Sequence, residues 1–275
     1  MVLLISIALI ILFTFLFHCA EHPNRSLSKV VTGSNKIEMG TAEKVMLTIV
    51  YDNNVYDERL VTAWGFSCYV NVDNVTVLFD TGGDAQILLE NMAKLNLDVG
   101  EIDVIVLSHI HGDHVGGLFG VLELNSQVKV YLPASFPDEF ENRVREYGCE
   151  VIEVKNAVKI CNGLATTGEL DTIREQSLMI ATSKGLVVVT GCAHPGVINI
   201  VKKANELTGM EVYLVMGGFH LTGASESTIL SIIEQLKALG VKKVAPCHCS
   251  GDLARKLFKE KFGEDYLEVG VGSDP

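Results

Sequence analysis

The short segment at residues 108–114, which reads SHIHGDH, contains three histidines and one aspartate. His109 and His111 are two residues apart at the end of a predicted strand, so their side chains project to the same side. After the glycine that follows, Asp113 and His114 point back from the start of the next helix. Neutral imidazole and carboxylate are typical ligands of zinc and similar divalent ions. The segment therefore predicts four metal ligands: His109, His111, Asp113 and His114.

Three further histidines each follow a predicted strand. His194 comes after VVVTGCA, His220 after VYLVMGGF, and His248 after VKKVAPC. Strands of one sheet can bring their ends to the same edge. Core packing alone does not explain why a histidine follows each of these three strands. We therefore expect these imidazoles to converge on the site formed by residues 108–114.

The segment 109–114 resembles the HxHxDH signature of the metallo-β-lactamase superfamily, and the resemblance extends over roughly residues 46–262. Asp80, at the end of the run VTVLFD, matches the strand-ending Asp of that superfamily's first motif. The resemblance implies that Asp80 lies behind the metals and orients ligands or the water. His194 and His248 look like the third-motif and last-motif histidines. The metal ligands implied by the whole pattern are His109, His111, Asp113, His114, His194 and His248.

The resemblance also implies two divalent metal ions, zinc first, with manganese and iron as alternatives. One departure concerns the ligand that bridges them. The superfamily usually supplies a bridging Asp from a Gly-Asp pair, but this chain has Gly191-Cys192. The Cys192 thiolate, His194, His220 or a water alone are the candidates for that place, so Cys192 and His220 are further candidate ligands.

Other short runs are similar to one branch of the superfamily. They read YDN at 51–53, GFS at 65–67, TGCAHPG at 190–196, GGFHL at 217–221 and PCHCSG at 246–251. The branch is named for dihydropterin–ribofuranosylaminobenzene phosphate synthase, a methanopterin-pathway activity. Its other members are mostly called metal-dependent hydrolases.

Metal-assisted hydrolysis is the leading functional hypothesis, with a metal-activated water attacking a small, phosphate-containing substrate. Glycine pairs at 82–83 and 116–117 are expected to let that substrate approach the backbone closely. One alternative is the branch's synthase-type condensing enzyme. A non-hydrolytic di-iron redox or binding protein is another, although redox relatives carry a carboxylate where this chain has His111. The candidate catalytic residues are Asp80, Asp113 and His220.

The elements that must position these residues follow the same order in each half of the chain. Short β-rich runs separated by polar turns come first, and helix–strand units follow them. IDVIVLSHI at 102–110 is nearly continuously apolar, as expected of a strand buried on both faces. Two mixed β-sheets packed face to face with helices outside satisfy this order. The predicted fold is an α/β (α+β) four-layer αββα sandwich, metallo-β-lactamase-like.

Composition separates the N-terminus from the rest. The chain has 275 residues with 22 Lys and Arg against 34 Asp and Glu, a net charge of −12 that disfavours binding to nucleic acid. Residues 2–17 are almost wholly apolar, and the nearest basic residues follow them. We therefore predict a membrane anchor or signal segment at 1–20, a linker at 21–45 and a catalytic domain at 46–275. The positive-inside rule places that domain in the cytoplasm.

Two other origins of the apolar segment remain open at the level of sequence. A cleaved signal peptide would export the protein, and a true start at Met39 or Met46 would leave it cytoplasmic. The seven cysteines are odd in number and scattered, which fits a reducing compartment. The oligomeric state is left open.

Overall fold

The computed structural model of the chain describes residues 36–275, and each half of this region forms one mixed six-stranded sheet. The first sheet keeps its strands in sequence order: β1 (Val45–Tyr51), β2 (Ser67–Val72), β3 (Val75–Phe79), β4 (Val104–Val106), β5 (Lys129–Pro133) and β6 (Glu150–Val154). The second sheet does the same: β7 (Asn156–Cys161), β8 (Leu164–Gly168), β9 (Leu178–Thr182), β10 (Gly185–Thr190), β11 (Val212–Gly218) and β12 (Lys243–Cys247).

Both sheets begin antiparallel and end parallel. Strands β1 to β3 and β7 to β10 pair antiparallel. Strands β3 to β6 and β10 to β12 pair parallel. Residues 183–185 form the tight connection of β9 to β10, where Thr182 pairs with Gly185. Since parallel neighbours need a crossover connection, helices follow β3, β4, β5, β10 and β11.

Within residues 36–275, six α-helices connect the strands and a seventh follows β12: α1 (Ala85–Lys94), α2 (Gly112–Val115), α3 (Leu118–Leu124), α4 (Asp138–Glu146), α5 (Val197–Thr208), α6 (Glu226–Ala238) and α7 (Asp252–Phe262). Two of these helices begin at a residue whose side chain caps the first turn. The Asp84 carboxylate accepts from the Ile87 N–H (3.0 Å) at the start of α1. The Ser225 hydroxyl accepts from the Thr228 N–H (3.2 Å) at the start of α6, and Gly240 takes a φ of 80° just after that helix ends.

Three apolar clusters separate four layers. Side chains alternate along β10, so that Val187 and Val189 pack between the sheets while Leu186 and Val188 face α5 to α7. On the outer face of the first sheet, Leu78 and its neighbours pack on α1, α3 and α4. Burying each such side chain contributes roughly 1.5–3 kcal/mol. The αββα arrangement predicted from the sequence is confirmed, with helices on the outer face of each sheet.

The described part of the predicted linker contacts the second sheet and its helices. The Ile37 N–H donates to the Leu207 carbonyl (2.7 Å), and the Ala42 N–H donates to the Ala181 carbonyl (2.9 Å). Met39 is buried in the cluster under α5 to α7. Residues 36–44 therefore lie against the domain before β1 begins.

The predicted membrane localisation needs a correction. Within residues 36–275, none of the helices has the length and apolar character required to cross a bilayer. The longest, α6, has 13 residues, whereas a spanning helix needs ~20. For the part of the chain that the structure describes, this finding contradicts the predicted membrane-anchored localisation. The segment 1–20, on which that expectation was based, lies outside the described residues.

Candidate metal centre

Each predicted site residue follows the carboxyl end of a strand. The segments after β3, β4, β10, β11 and β12 carry, in this order, Asp80, His109 to His114, Cys192 with His194, His220, and His248. The two sheets bring these ends together, since His114 Nε2 lies 3.2 Å from Cys192 Sγ. The sequence-based expectation that the histidines converge agrees with this geometry.

The backbone turns sharply at four of these strand ends. Asp80, Ala193, His220 and His248 have φ values of 58°, 59°, 52° and 46°. A positive φ costs a residue other than glycine on the order of 1–3 kcal/mol and persists only where surrounding contacts hold it. Such contacts exist here, because the Ser67 hydroxyl donates to the Asp80 carbonyl (2.7 Å). The strain is concentrated where the chain must aim side chains at one point.

Two groups of three ligand atoms lie side by side. In one group the ligand atoms of His109, His111 and His194 are all within 4.8 Å of one another, and the same holds for Asp113, His114 and His248. Cys192 belongs to a third group with His109 and His114, and to a fourth with His220 and Cys249. All predicted ligands are therefore brought together in one centre.

One buried nitrogen shows that these residues fit a metal ion. His248 Nε2 is inaccessible to solvent and makes no hydrogen bond, although it lies 3.4 Å from Asp113 Oδ2. Buried polar atoms are nearly always paired, so an orphaned imidazole nitrogen beside a carboxylate is expected where a cation is held. The donor set of imidazole, carboxylate and thiol can hold a metal ion such as zinc.

Four of the imidazoles are oriented in the same way, through a hydrogen bond at Nδ1. The partners are Ser108 Oγ for His109 (2.8 Å), Asp80 Oδ2 for His114 (2.7 Å), Glu175 Oε2 for His194 (2.9 Å) and Asn53 Oδ1 for His248 (3.1 Å). A carboxylate only accepts, so Asp80 and Glu175 require a proton on Nδ1 of their histidines. Each Nε2 is thereby left with a lone pair for a metal.

Glu175 is the functional residue that sequence reasoning missed most clearly. Its carboxylate is fully buried. Oε1 accepts from the N–H groups of Cys192 (2.9 Å) and Ala193 (2.8 Å), and Oε2 accepts from the His194 N–H (2.8 Å) and Nδ1. Burial alone would raise the pKa of Glu175, but the hydrogen bonds from His194 and the backbone hold that pKa at about 2. Glu175 stands in the polar connection before β9, and no local pattern links it to His194.

Ser108 and Asn53 were also not assigned a role. Ser108 belongs to the histidine segment, and its N–H and hydroxyl bond the two Asp80 oxygens at 2.6 and 2.7 Å. Asn53 holds both the side chain and the backbone of His248, since its Nδ2 also donates to the His248 carbonyl (3.3 Å). Asn53 stands in one of the branch-like runs, which was the only signal available. Asp80 itself is buried behind the ligands, as the resemblance implied.

Burial sets the protonation states of the centre. It lowers the pKa of both His109 and His114 to about 3, so these imidazoles are neutral near pH 7, the form that binds metals. Burial raises the pKa of Asp80 to about 7 against the opposing effect of its donors. The pKa of the Cys192 thiol is raised by its hydrogen bond with Cys249 and by burial, so a bound cation is needed to favour the thiolate.

The glycine pairs have a different role from the one expected. A Cβ on Gly116 would collide with the Gly83 carbonyl, and one on Gly117 with the Thr81 carbonyl. The Gly116 N–H also donates to the Gly82 carbonyl (2.9 Å). These glycines let the loop after β3 pack against the start of α2. We expected these glycines to accommodate a substrate, but the contacts they make are between two loops of the protein.

Comparison with known proteins agrees with this geometry. Residues 65–150 match the family model described as the metallo-beta-lactamase superfamily. The 7,8-dihydropterin-6-methyl-4-(beta-D-ribofuranosyl)-aminobenzene-5'-phosphate synthase of Methanocaldococcus jannaschii is 31% identical, over 86% of this chain and 98% of that protein. An uncharacterized protein of the same organism is 30% identical, over 82% of this chain and 98% of its own length.

A solved structure is similar over the same extent. It is described as a metal-dependent hydrolase of the beta-lactamase superfamily, and it superimposes with a TM-score of 0.71 at 28% identity over 84% of this chain and 98% of that chain. The shared fold and the relatives aligned along almost their whole length lead to one conclusion. The chain belongs to the metallo-β-lactamase superfamily, in the branch of the dihydropterin–ribofuranosylaminobenzene phosphate synthase and related metal-dependent hydrolases.

Proposed function

We propose that the chain is a dinuclear metal-dependent hydrolase that acts on a small, phosphate-containing substrate. The observation that carries the proposal is the pair of adjacent three-ligand groups, His109–His111–His194 and Asp113–His114–His248. Each group offers the three protein ligands typical of a catalytic zinc site with an open position. Zinc is the ion we favour, because imidazole and thiol suit it, and manganese and iron are the alternatives.

Cys192 is the ligand we propose between the two ions. Its Sγ lies 3.2 Å from His114 Nε2 and within 4.8 Å of the ligand atom of His109. Cys192 therefore faces a member of each group, in the place where the superfamily usually has an aspartate. His220 stands at the outer side of the centre, with its ring centroid 4.5 Å from that of His194.

Two bound divalent ions would lower the pKa of a shared water and stabilise negative charge on a phosphoryl oxygen. The chain's own residues orient this chemistry. Asp80 holds His114 and Ser108 by charge-assisted hydrogen bonds, and Glu175 holds His194. Asp113 keeps 23% of its side chain exposed, so it can face an incoming substrate.

His220 is the residue we propose for proton transfer to the leaving group. Its side chain is exposed, and burial together with the neighbouring His194 lowers the pKa of its imidazole. The lowered pKa makes the imidazolium form the stronger acid, so that form would give its proton to the leaving group and regain one from solvent. If His220 is instead a metal ligand, replacing it will lower the metal content of the protein.

Metal analysis combined with a substrate panel tests the proposal. Purified protein should carry about two divalent ions per chain and release phosphate or alcohol from model phosphomonoesters or phosphodiesters. His111→Ala should lose both metal and turnover, whereas the surface variant Lys129→Ala should keep them. Less than one ion per chain, or full turnover by His111→Ala, would refute the assignment.

A second candidate is favoured by the synthase of M. jannaschii, which is aligned over 98% of its length. In that case the same ions would polarise a substrate for condensation. The two activities are separated by incubating the metal-loaded protein with a ribofuranosylaminobenzene phosphate and a dihydropterin whose 6-methyl carbon carries a leaving group, which departs as the two molecules are joined. A joined product detected by mass spectrometry supports the synthase, and phosphate release without joining supports the hydrolase.

A further inference from the structure

Trp64 presents a large aromatic surface beside the metal centre. Its ring centroid lies 4.9 Å from that of His248, and the two planes are tilted by 53°. His248 is buried, whereas Trp64 is 54% exposed. The indole thus covers one of the proposed metal ligands and leaves the rest of its surface open to solvent.

The backbone that carries Trp64 is anchored on both sides. Before it, the Ala63 N–H donates to the Asp52 carbonyl (3.2 Å), and the Asn91 side chain bonds both the N–H and the carbonyl of Val61 at 2.9 Å. After it, the Phe66 N–H donates to the Asp113 carbonyl (3.2 Å). An exposed aromatic side chain on such a fixed backbone loses little conformational freedom when a ligand covers it.

We propose that Trp64 is a stacking platform that binds a flat aromatic ring of the substrate next to the metal centre. The inference rests on the proposed function and deepens it, because it assigns the ring-bearing part of a phosphorylated substrate to this side of the site. Offset stacking of a flat ring on an indole excludes water from both faces. The backbone contact from Phe66 to Asp113 keeps the platform in register with a proposed ligand.

The chain has a single tryptophan beside seven tyrosines, so fluorescence excited selectively at tryptophan reports on this position alone. Metal-loaded protein is titrated with 7,8-dihydropterin as the ring probe and with ribose 5-phosphate as a ring-free phosphate probe. We expect saturable quenching by the pterin and none by ribose 5-phosphate. Equal quenching by both probes would overturn the proposal.

The pterin could also quench the fluorescence by energy transfer without stacking on the indole. Binding affinities of variants measured by calorimetry separate the two causes. Trp64→Leu should weaken pterin binding by about five- to a hundredfold, the range expected for stacking of one ring on an aromatic side chain, and Trp64→Phe should recover most of it. Tyr56, 55% exposed in the same connection, supplies the matched control, and Tyr56→Leu should bind as the wild type does. Wild-type affinity in Trp64→Leu would overturn the proposal.

The outcome is independent of turnover. If pterin binding depends on Trp64 while the phosphoester panel shows no hydrolysis, the platform stands and the proposed hydrolase fails. If hydrolysis occurs and Trp64→Leu leaves pterin binding unchanged, the hydrolase stands and the platform fails. An exposed indole that serves a protein partner instead would give this second result.

Discussion

Replacing Glu175 by glutamine tests how the loop after β10 is held at the metal centre. Both carboxylate oxygens accept two hydrogen bonds each, from the N–H groups of residues 192–194 and from His194 Nδ1. An amide of the same size offers one oxygen and one NH₂ group. With the amide oxygen facing His194, the N–H groups of Cys192 and Ala193 both lose their acceptor. In the other orientation the His194 N–H loses its acceptor, and the imidazole must move its proton from Nδ1 to Nε2, the nitrogen that would bind metal.

Two estimates of the folding free energy lost in Glu175→Gln agree with each other. A buried donor left without a partner costs about 1–3 kcal/mol, so two of them cost about 2–6 kcal/mol. The pKa of Glu175 is about 2 instead of 4.5, a difference that corresponds to about 3 kcal/mol of folding free energy. Because the pKa is lowered on folding, this stability is present above pH ~4.5 and is lost as the pH falls towards 2. We expect Glu175→Gln to lower the free energy of unfolding by about 3 kcal/mol at pH 7.

The same substitution should weaken metal binding. His194 Nδ1 would lose its charged acceptor, and loss of such an orienting partner lowers metal affinity by about 10–100-fold. Urea unfolding of the metal-free protein measures the first effect, and competition with a chelator measures the second. Glu169→Gln is a suitable control, since Glu169 lies in the same connection but bonds the Ser135 N–H and Arg174. That control should leave metal affinity unchanged.

If Glu175→Gln unfolds within about 1 kcal/mol of the wild type and binds metal equally well, the carboxylate does not hold the loop. Equal losses of metal affinity in Glu169→Gln and Glu175→Gln would also contradict the role of His194 orientation.

Three other substitutions address the centre directly. His111→Ala should remove at least one metal ion per chain by elemental analysis yet preserve the circular dichroism spectrum, because His111 is exposed. Cys192→Ser should weaken or abolish the sulfur-to-metal charge-transfer band of the cobalt-loaded protein; a band unchanged in position and intensity would exclude Cys192 as a ligand, and a weakened one would point to Cys249 as a second sulfur ligand. Burial raises the pKa of Asp80 to about 7, so metal-free protein should lose stability as pH rises from about 4 through 7, by up to ~4 kcal/mol. Asp80→Asn should flatten that loss in urea unfolding, and an unchanged slope would show that Asp80 does not cause it.

Much of the fold could be predicted because it depends on local patterns. The caps of α1 and α6, the turn from β9 to β10 and the order of strands and helices in each half all follow from short-range signals. The strand predicted over 102–110 is shorter in the structure, where β4 spans Val104–Val106. Beyond it, Leu107 and Ser108 change partners, because their carbonyls accept from Gln176. The strands β6 and β7 and the helix α7 were not predicted.

The residue types that can hold a metal are evident from the amino-acid order, because the histidine segment and the strand-ending residues can be identified one at a time. Which of these residues meet, and what orients them, depends on tertiary packing. Asn53 bonds His248 across 195 residues of chain, and Glu175 bonds His194 across 19. Trp64 likewise reaches His248 only through the packing of the two sheets. Periodicity encodes which face a residue takes within its own element, whereas contacts between distant segments depend on how the two sheets pack and on the turns at their carboxyl ends.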